Sequence, residues 1–289
     1  MRDLNCDSPV FNQSMMSADS ALEFLIVSAL APVKTEVVGL DDALGRILAN
    51  DIHSSINVPG FDNSAMDGYT IALSDEQLNK ENLSFTIVDR IPAGSTGNEL
   101  NEGCAARIFT GAPIPKGGNT VIMQEECQLS EDGTQITINR TISLNENIRP
   151  TGNDIVEGGV ILQRGRQLQP QDISLAASVG VGEICVFSQI KVGVFFTGDE
   201  LVEPGNPLDT GKIYNSNRYA LVALLKQVGC EVLNLGNIKD KFESTCNALS
   251  ELSGKCDLIM TTGGVSVGEE DHVKSAVESL GELNLWKFE

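Results

Sequence analysis

The stretch that decides the fold runs from Cys256 to Lys274 and reads Cys-Asp-Leu-Ile-Met-Thr-Thr-Gly-Gly-Val-Ser-Val-Gly-Glu-Glu-Asp-His-Val-Lys. The apolar run Leu258–Met260 predicts a buried strand, and Gly263 and Gly264 predict a loop directly after it. Apolar side chains then recur at helical spacing, at Val273, Val277 and Leu280. A strand, a glycine loop and a helix in this order bring backbone N–H groups close to a phosphate. A tight turn without a ligand is the alternative, but the setting of the loop favours a site.

That setting is a series of strand–helix units. Strands are predicted at Ile190–Phe196, Glu231–Leu235 and Leu283–Phe288, and helices near Ser216 and at about Glu243–Leu252. Alternating strands and helices predict a parallel sheet with right-handed crossovers, in which ligands bind at the carboxyl ends of the strands. One acid follows the predicted end of each of three strands: Glu200 follows Phe196, Asp240 follows Leu235, and Asp271 follows Met260 and the glycine loop. Each of them could instead be a carboxylate that only stabilises the start of a helix.

The residues before this series predict a different organisation. A helix is predicted from Ser17 to Leu30 and another at Leu40–Leu48, because both stretches have apolar residues at helical spacing. Residues 57–150 alternate as strands do, with a hairpin at Asp132–Gly133. We expect four parts: a disordered leader at 1–17, a helical linker domain formed by 18–56 and 151–187, a β-rich domain at 57–150, and an α/β domain at 188–289.

The charge of the chain limits its partners. The chain has 40 acidic and 20 basic residues, a net charge of −20, which argues against binding to nucleic acid or to an anionic membrane surface. A phosphorylated ligand would therefore need backbone N–H groups or a divalent cation to offset the repulsion. The seven cysteines form no C-x-x-C pair, which argues against a zinc site. Neither a signal peptide nor a long apolar run is present, so we expect a cytoplasmic protein.

A polar loop lies at Val58–Tyr69, just before a predicted strand that ends at Leu73. Asp62, Asn63, Ser64 and Asp67 all fall within six positions of it. On spacing alone, such residues satisfy their own backbone in an ordered loop. The functional alternative is a loop whose polar side chains reach a ligand.

Four motifs together resemble the molybdopterin molybdenumtransferase family, known as MoeA in bacteria and as the E domain of gephyrin in animals. They are Pro59-Gly-Phe-Asp-Asn-Ser-Ala-Met-Asp-Gly-Tyr69, Thr110-Gly-Ala-Pro-Ile-Pro115, Thr197-Gly-Asp-Glu-Leu201 and Gly263-Gly-Val-Ser-Val-Gly-Glu-Glu-Asp271. The resemblance runs from about residue 18 to the last residue. It implies a multidomain α/β fold: a three-layer α/β molybdopterin-binding domain of the MogA/MoaB kind with a parallel sheet, preceded by a β-rich domain and a helical linker domain.

The resemblance also implies an activity and a set of site residues. The family inserts molybdate into adenylylated molybdopterin and releases AMP, it works as a homodimer, and an adenylyltransferase supplies its substrate. Carried over by motif, the catalytic residues are Asp67, Glu200, Asp240 and Asp271, with Mg²⁺ on the last three. The ligand-binding residues are Thr110, Asp154, Thr197, Gly198, Asn217, Gly263, Gly264, Ser266 and Gly268. Mg²⁺ agrees with the charge argument, since it binds carboxylates together with phosphate oxygens.

Two departures from the family pattern lead to further expectations. Asn153 stands beside Asp154, where the family more often has an acid. The family also continues after Phe288 with a lysine-rich loop, so we expect a C-terminally truncated chain that is weakly active or inactive alone. The alternatives are a molybdopterin adenylyltransferase and a non-catalytic dimeric scaffold that binds molybdopterin.

Overall fold

The computed structural model describes residues 17–29, 34–263 and 272–283. The predicted leader and most of the predicted strand Leu283–Phe288 lie outside these residues. So do four predicted site residues, namely Gly264, Ser266, Gly268 and Asp271. The chain divides into two compact units. One unit is Val38–Ile184, and the other combines Met1–Val37 with Cys185–Glu289. The first, Val38–Ile184, is the β-rich unit, and the second is the α/β unit.

The helices and strands are numbered in chain order. The α-helices are α1 (Ala18–Ser28), α2 (Pro170–Ser178), α3 (Ser216–Gln227), α4 (Phe242–Ser253) and α5 (His272–Leu280). The strands are β1 (Thr35–Gly39), β2 (Ile52–His53), β3 (Asn63–Ser64), β4 (Gly68–Ile71), β5 (Leu83–Ile91), β6 (Cys104–Ile108), β7 (Thr120–Met123), β8 (Gln128–Leu129), β9 (Gln135–Ile138), β10 (Ile148–Arg149), β11 (Val160–Leu162), β12 (Glu183–Phe187), β13 (Lys191–Thr197), β14 (Leu201–Val202), β15 (Ile213–Tyr214), β16 (Glu231–Ile238) and β17 (Leu258–Thr262).

A six-stranded sheet of order β7-β4-β6-β5-β9-β8 forms the centre of the β-rich unit. The predicted hairpin is confirmed, since β8 and β9 pair antiparallel and Gly133 takes the positive φ of +70° that the turn requires. Successive residues of a strand point to opposite faces, and the neighbours Ala105 and Ala106 are both fully buried in separate apolar clusters. The sheet is therefore covered on both faces.

The predicted helix at Leu40–Leu48 is wrong. Only Leu40–Asp42 form a single 3₁₀ turn, and Gly45 then adopts a left-handed φ of +74°. The backbone N–H groups of Gly45 and Leu48 donate to carbonyl oxygens of Leu168 and Arg166 instead of to a preceding helical turn. Pairing with a distant segment thus replaces the local helix that the apolar spacing predicted.

The α/β unit contains the predicted parallel sheet, with strand order β16-β13-β17 and both pairs parallel. Its central strand β13 is buried at six consecutive positions after Lys191, because apolar clusters cover both of its faces. The carboxyl ends of β13 and β17 meet where Phe196 pairs with Thr262. Within the described residues, no helix is long and apolar enough to cross a membrane.

Candidate functional site

A pocket of about 250 Å³ lies at the carboxyl ends of β13 and β17, where a parallel sheet places its ligand. Four predicted site residues line it: Thr197, Glu200, Asn217 and Gly263. The other lining residues are Leu201, Ile213, Tyr214, Asn215, Ser216 and Thr262. The structure therefore brings together predicted residues that are as much as 66 positions apart in the chain.

One wall of the pocket is the N-terminus of helix α3. Asn215 caps this helix, because its side chain accepts a hydrogen bond of 3.0 Å from the backbone N–H of Arg218. The Asn215 side chain is buried and also donates to Asn237 on β16. The first amides of a helix have no partner within the helix and favour an anion. Asn215 is not among the predicted site residues, although an asparagine directly before Ser216 is a recognisable capping signal.

Gly263 forms the opposite edge of the pocket. Its φ is +92°, and a Cβ at this position would lie 2.7 Å from the carbonyl oxygen of Thr197. Both the conformation and the space at the end of β17 therefore require glycine. This close approach places the start of the glycine loop against the end of the central strand.

Two of the predicted acids are held by the residues at the end of β13. The Thr197 hydroxyl donates to Oδ1 of Asp240 at 2.9 Å. The Glu200 carboxylate folds over Gly198, where an added Cβ would lie 2.6 Å from its Oε2. The backbone carbonyl of Glu200 accepts a hydrogen bond of 2.9 Å from Ile213, which fixes the loop in place.

A second group of predicted residues lies in the β-rich unit. The backbone N–H and the hydroxyl of Thr110 donate to Oδ1 of Asp67 at 2.8 and 2.9 Å. These bonds, the backbone one first, hold the pKa of Asp67 below its ordinary value, and Arg107 contributes in the same direction. Asp67 is therefore a fully ionised, exposed acceptor at neutral pH.

Asp154 is also exposed and ionised. Arg149 forms an ion pair with it, and the Asn153 amide donates to its Oδ1 at 2.8 Å. The two contacts, Arg149 first, hold the pKa of Asp154 below its ordinary value. Asn153 is thus a hydrogen-bond donor to the neighbouring predicted site residue.

The sequence analysis missed a second threonine–aspartate contact in the polar loop. The backbone N–H and hydroxyl of Thr151 donate to Oδ1 of Asp62 at 2.7 and 2.9 Å, the same arrangement as Thr110 with Asp67. Local spacing could not reveal it, because 89 positions separate the two residues.

A larger cavity of about 570 Å³ lies in the β-rich unit, beside β11 and α2. Its lining includes Arg166 and Asp172, whose side chains form an ion pair of 2.8 Å. Oδ2 of Asp172 also accepts a hydrogen bond from the backbone N–H of Gln169, which caps the start of helix α2. The charges of this cavity therefore have a structural role, and none of the predicted site residues lines it.

The donor set at the smaller pocket suits a hard cation. Within residues 17–29, 34–263 and 272–283, no three His, Cys, Asp or Glu side chains are grouped closely enough to hold a metal by themselves. Mg²⁺ commonly needs only one or two carboxylates, with water and substrate phosphate completing its shell. Glu200 lines the pocket and Asp240 is bonded to Thr197, which also lines it, so two carboxylates are available for that requirement.

The fold and the pocket define a parallel α/β protein with a polar site at its strand ends and a separate β-rich unit. Residues 6–180 match the family described as the MoeA N-terminal region (domain I and II), and residues 193–289 match the one described as a probable molybdopterin binding domain. The chain belongs to the MoeA family. This confirms the predicted resemblance and fold class.

Named relatives agree with this assignment. A protein of Haemophilus influenzae named molybdopterin molybdenumtransferase is 44% identical over 275 residues, which are 95% of this chain and 67% of the relative. The protein of that name from Bacillus subtilis is 37% identical over 86% of this chain and 59% of its own length. The crystal structure of the molybdopterin biosynthesis MoeA protein from Pyrococcus horikoshii has a TM-score of 0.80 and 30% identity, covering 94% of this chain and 68% of that one. The chain thus spans about six tenths to two thirds of these relatives.

Proposed function

We propose that this chain carries the reaction pocket of a molybdopterin molybdenumtransferase, which inserts molybdate into adenylylated molybdopterin and releases AMP. The observation that carries the proposal is the pocket at the ends of β13 and β17, where Thr197, Glu200, Asn217 and Gly263 converge. The names of the relatives supply the substrate class.

The backbone of the pocket would bind the phosphates. The first amides of α3 and the N–H groups of the loop that begins at Gly263 would donate hydrogen bonds to the phosphate oxygens. These bonds would offset the repulsion between the phosphates and a chain of net charge −20. Glu200, Asp240 and Asp271 would hold Mg²⁺, which when bound neutralises phosphate charge during hydrolysis of the phosphoanhydride. Carboxylate oxygens of the same residues would also orient the attacking water, because ionised carboxylates accept hydrogen bonds from it.

Asp67 and Thr110 lie in the β-rich unit, whereas the pocket lies in the α/β unit. We propose a homodimer in which Asp67 and Thr110 of one subunit complete the pocket of the other. The support is that these residues match the family's motifs but belong to the β-rich unit. Active sites should then reappear when a chain with Asp67→Ala is mixed with one with Asp271→Ala. Verified heterodimers without activity would contradict the arrangement.

Supply of the substrate requires a reaction that joins AMP to molybdopterin. We propose that the adenylyltransferase that performs it is a partner of this protein and that both act in the cytoplasm. The transferase is favoured over the alternative of an adenylyltransferase, because the relatives carry the transferase name and the β-rich unit is part of their family. A scaffold would bind adenylylated molybdopterin without turnover, which the assay below distinguishes.

The test is AMP release from adenylylated molybdopterin in the presence of Mg²⁺ and molybdate. Glu200→Gln and Asp240→Asn should each lower the turnover by about a hundredfold or more, as expected for groups that act on the reacting phosphate. Asp209→Asn is the matched control, since Asp209 is an exposed acid of the same loop that does not line the pocket. Equal losses in the control and in the two variants would reject the proposed pocket.

A further inference from the structure

We propose that Thr197 is a positioning residue that sets the orientation of the Asp240 carboxylate, and that it does not bind the ligand through its hydroxyl proton. The inference rests on the proposed function for the role of Asp240. It changes the predicted role of Thr197, which the sequence analysis placed among the ligand-binding residues.

Thr197 touches the ends of both neighbouring strands. It is the last residue of the central strand β13 and is 4% exposed. It pairs with Ile238 at the end of β16, and its carbonyl oxygen lies against Gly263 after β17. A shift of Thr197 would therefore move both Asp240, which its hydroxyl contacts, and Gly263, which its carbonyl oxygen contacts.

The hydroxyl of Thr197 has a single proton, and that proton is already used. It is donated to Oδ1 of Asp240 at 2.9 Å, so the hydroxyl can only accept from a ligand and cannot donate to one. Because threonine is branched at Cβ, its χ1 angle is restricted and the hydroxyl direction is fixed by the strand. The rigid strand thus determines where the side chain of a half-buried loop residue, Asp240, points.

The bond also leaves the second carboxylate oxygen of Asp240 available. Within the described part of the chain, no hydrogen bond or ion pair reaches Oδ2 of Asp240. The backbone N–H of Asp240 donates to Oδ1 of Asp199 at 3.5 Å. The arrangement fixes one oxygen by the protein and leaves the other to a cation or a water, as a positioning contact should.

Two substitutions separate positioning from packing. Thr197→Val keeps the shape and removes the hydroxyl, whereas Thr197→Ser keeps the hydroxyl and removes the methyl group. We expect Thr197→Val to lower kcat for AMP release about tenfold, the usual effect of losing a hydrogen bond to a charged group, with KM nearly unchanged. Thr197→Ser should retain kcat within about threefold, since the donor remains.

A second readout does not depend on turnover. Mn²⁺, used as a spectroscopic substitute for Mg²⁺, is titrated into the chain and its free concentration is followed by electron paramagnetic resonance. Thr197→Val should weaken the binding severalfold, and adding it to Asp240→Asn should cause no further loss, because coupled residues are not additive. An equal loss in the Asp240→Asn background, or a Thr197→Ser variant as impaired as Thr197→Val, would overturn the inference.

Crystal structures of the variants separate this inference from the proposed function. If Asp240→Asn changes neither turnover nor Mn²⁺ binding, the proposed role of Asp240 fails. The positioning role of Thr197 is then decided by geometry alone. A carboxylate of Asp240 that has turned in Thr197→Val and is unmoved in Thr197→Ser supports the role, and an unmoved carboxylate in Thr197→Val overturns it.

Discussion

Replacing Gly198 by alanine should move the Glu200 carboxylate out of its position. The glycine has a φ of +144°, and a Cβ at this position would lie 2.6 Å from Oε2 of Glu200 and 2.9 Å from its Cδ. Real Cβ atoms rarely approach a neighbour closer than 3.4 Å. The flexible side chain of Glu200 is the group able to yield, because the backbone around it is bonded to Ile213.

The magnitude follows from these distances. Relief of the contact requires the carboxylate to move by roughly 0.8 Å, the difference between 2.6 and 3.4 Å, and a misplacement of about 1 Å at a reacting centre costs about a hundredfold in rate. The positive φ adds strain of about 1–3 kcal/mol to the folded state. Stability and activity should therefore both fall, but by separable amounts.

Gly211→Ala is the matched control for this strain. Gly211 belongs to the same loop and has a φ of +84°, yet nothing lies within 4 Å of its Cβ position. Urea unfolding and AMP release are measured for both variants. We expect a loss of unfolding free energy in both variants and a hundredfold loss of kcat in Gly198→Ala alone. Equal activities would refute the argument that Gly198 makes room for Glu200.

Three further predictions concern the β-rich unit. Thr110→Val should raise the pKa of Asp67 only partway toward its ordinary value, because the stronger backbone donor remains; a carboxyl NMR titration measures it, and an unchanged pKa would contradict the assignment. Arg166 holds the pKa of Asp172 below its ordinary value, so Asp172→Asn should lower the free energy of unfolding at neutral pH, by an amount reduced because the Arg166 guanidinium is half exposed. Because the folded-state pKa of Asp172 is lowered, its charged form stabilises the fold above the ordinary aspartate pKa. The difference from the unsubstituted chain should therefore begin to shrink as the pH falls below about 4, and it should vanish only below the lowered folded-state pKa. A pH-independent difference in urea unfolding would contradict this reasoning. Burial raises the pKa of the Cys127 thiol to about 11, so iodoacetamide at neutral pH should leave it unmodified until the chain unfolds; rapid labelling seen by mass spectrometry would count against this.

The α/β unit was largely predictable because its elements are set by local sequence. Leu258–Met260 is an apolar run followed by the turn residues Gly263 and Gly264, and Leu221, Leu224, Leu225 and Val228 recur at helical spacing. The structure contains a strand and a helix at these places. The strand is not buried as predicted, however, because Leu258 is exposed and its four following residues are half-buried among the described residues. The strand after Glu231 is longer than predicted, reaching Ile238, because Gly236 takes a left-handed φ that the Asn234 side chain supports with a bond of 2.8 Å. The register of β16 against β13 shifts near this glycine, which is a β-bulge. A bulge depends on pairing between strands, which local propensity does not describe.

The contacts that order the candidate site were less predictable. Asp67 and Asp240 were recognised by motif, but the threonines that hold them are each 43 positions away. The same reason explains why local spacing does not reveal the contact of Asp62 with Thr151 and why the apolar spacing of Leu40–Leu48 wrongly predicts a helix. In each case a hydrogen bond between distant segments decided the local structure, and a single sequence shows only the two separate ends of that bond.

The central claim is that adenylylated molybdopterin binds in the pocket at the ends of β13 and β17. A crystal structure of the chain with this ligand tests it most directly. We predict that the phosphates lie against the first amides of α3 and the N–H groups from Gly263 onward, with Glu200 beside them. Ligand density in the larger cavity beside Arg166 and Asp172, with the smaller pocket empty, would contradict the account.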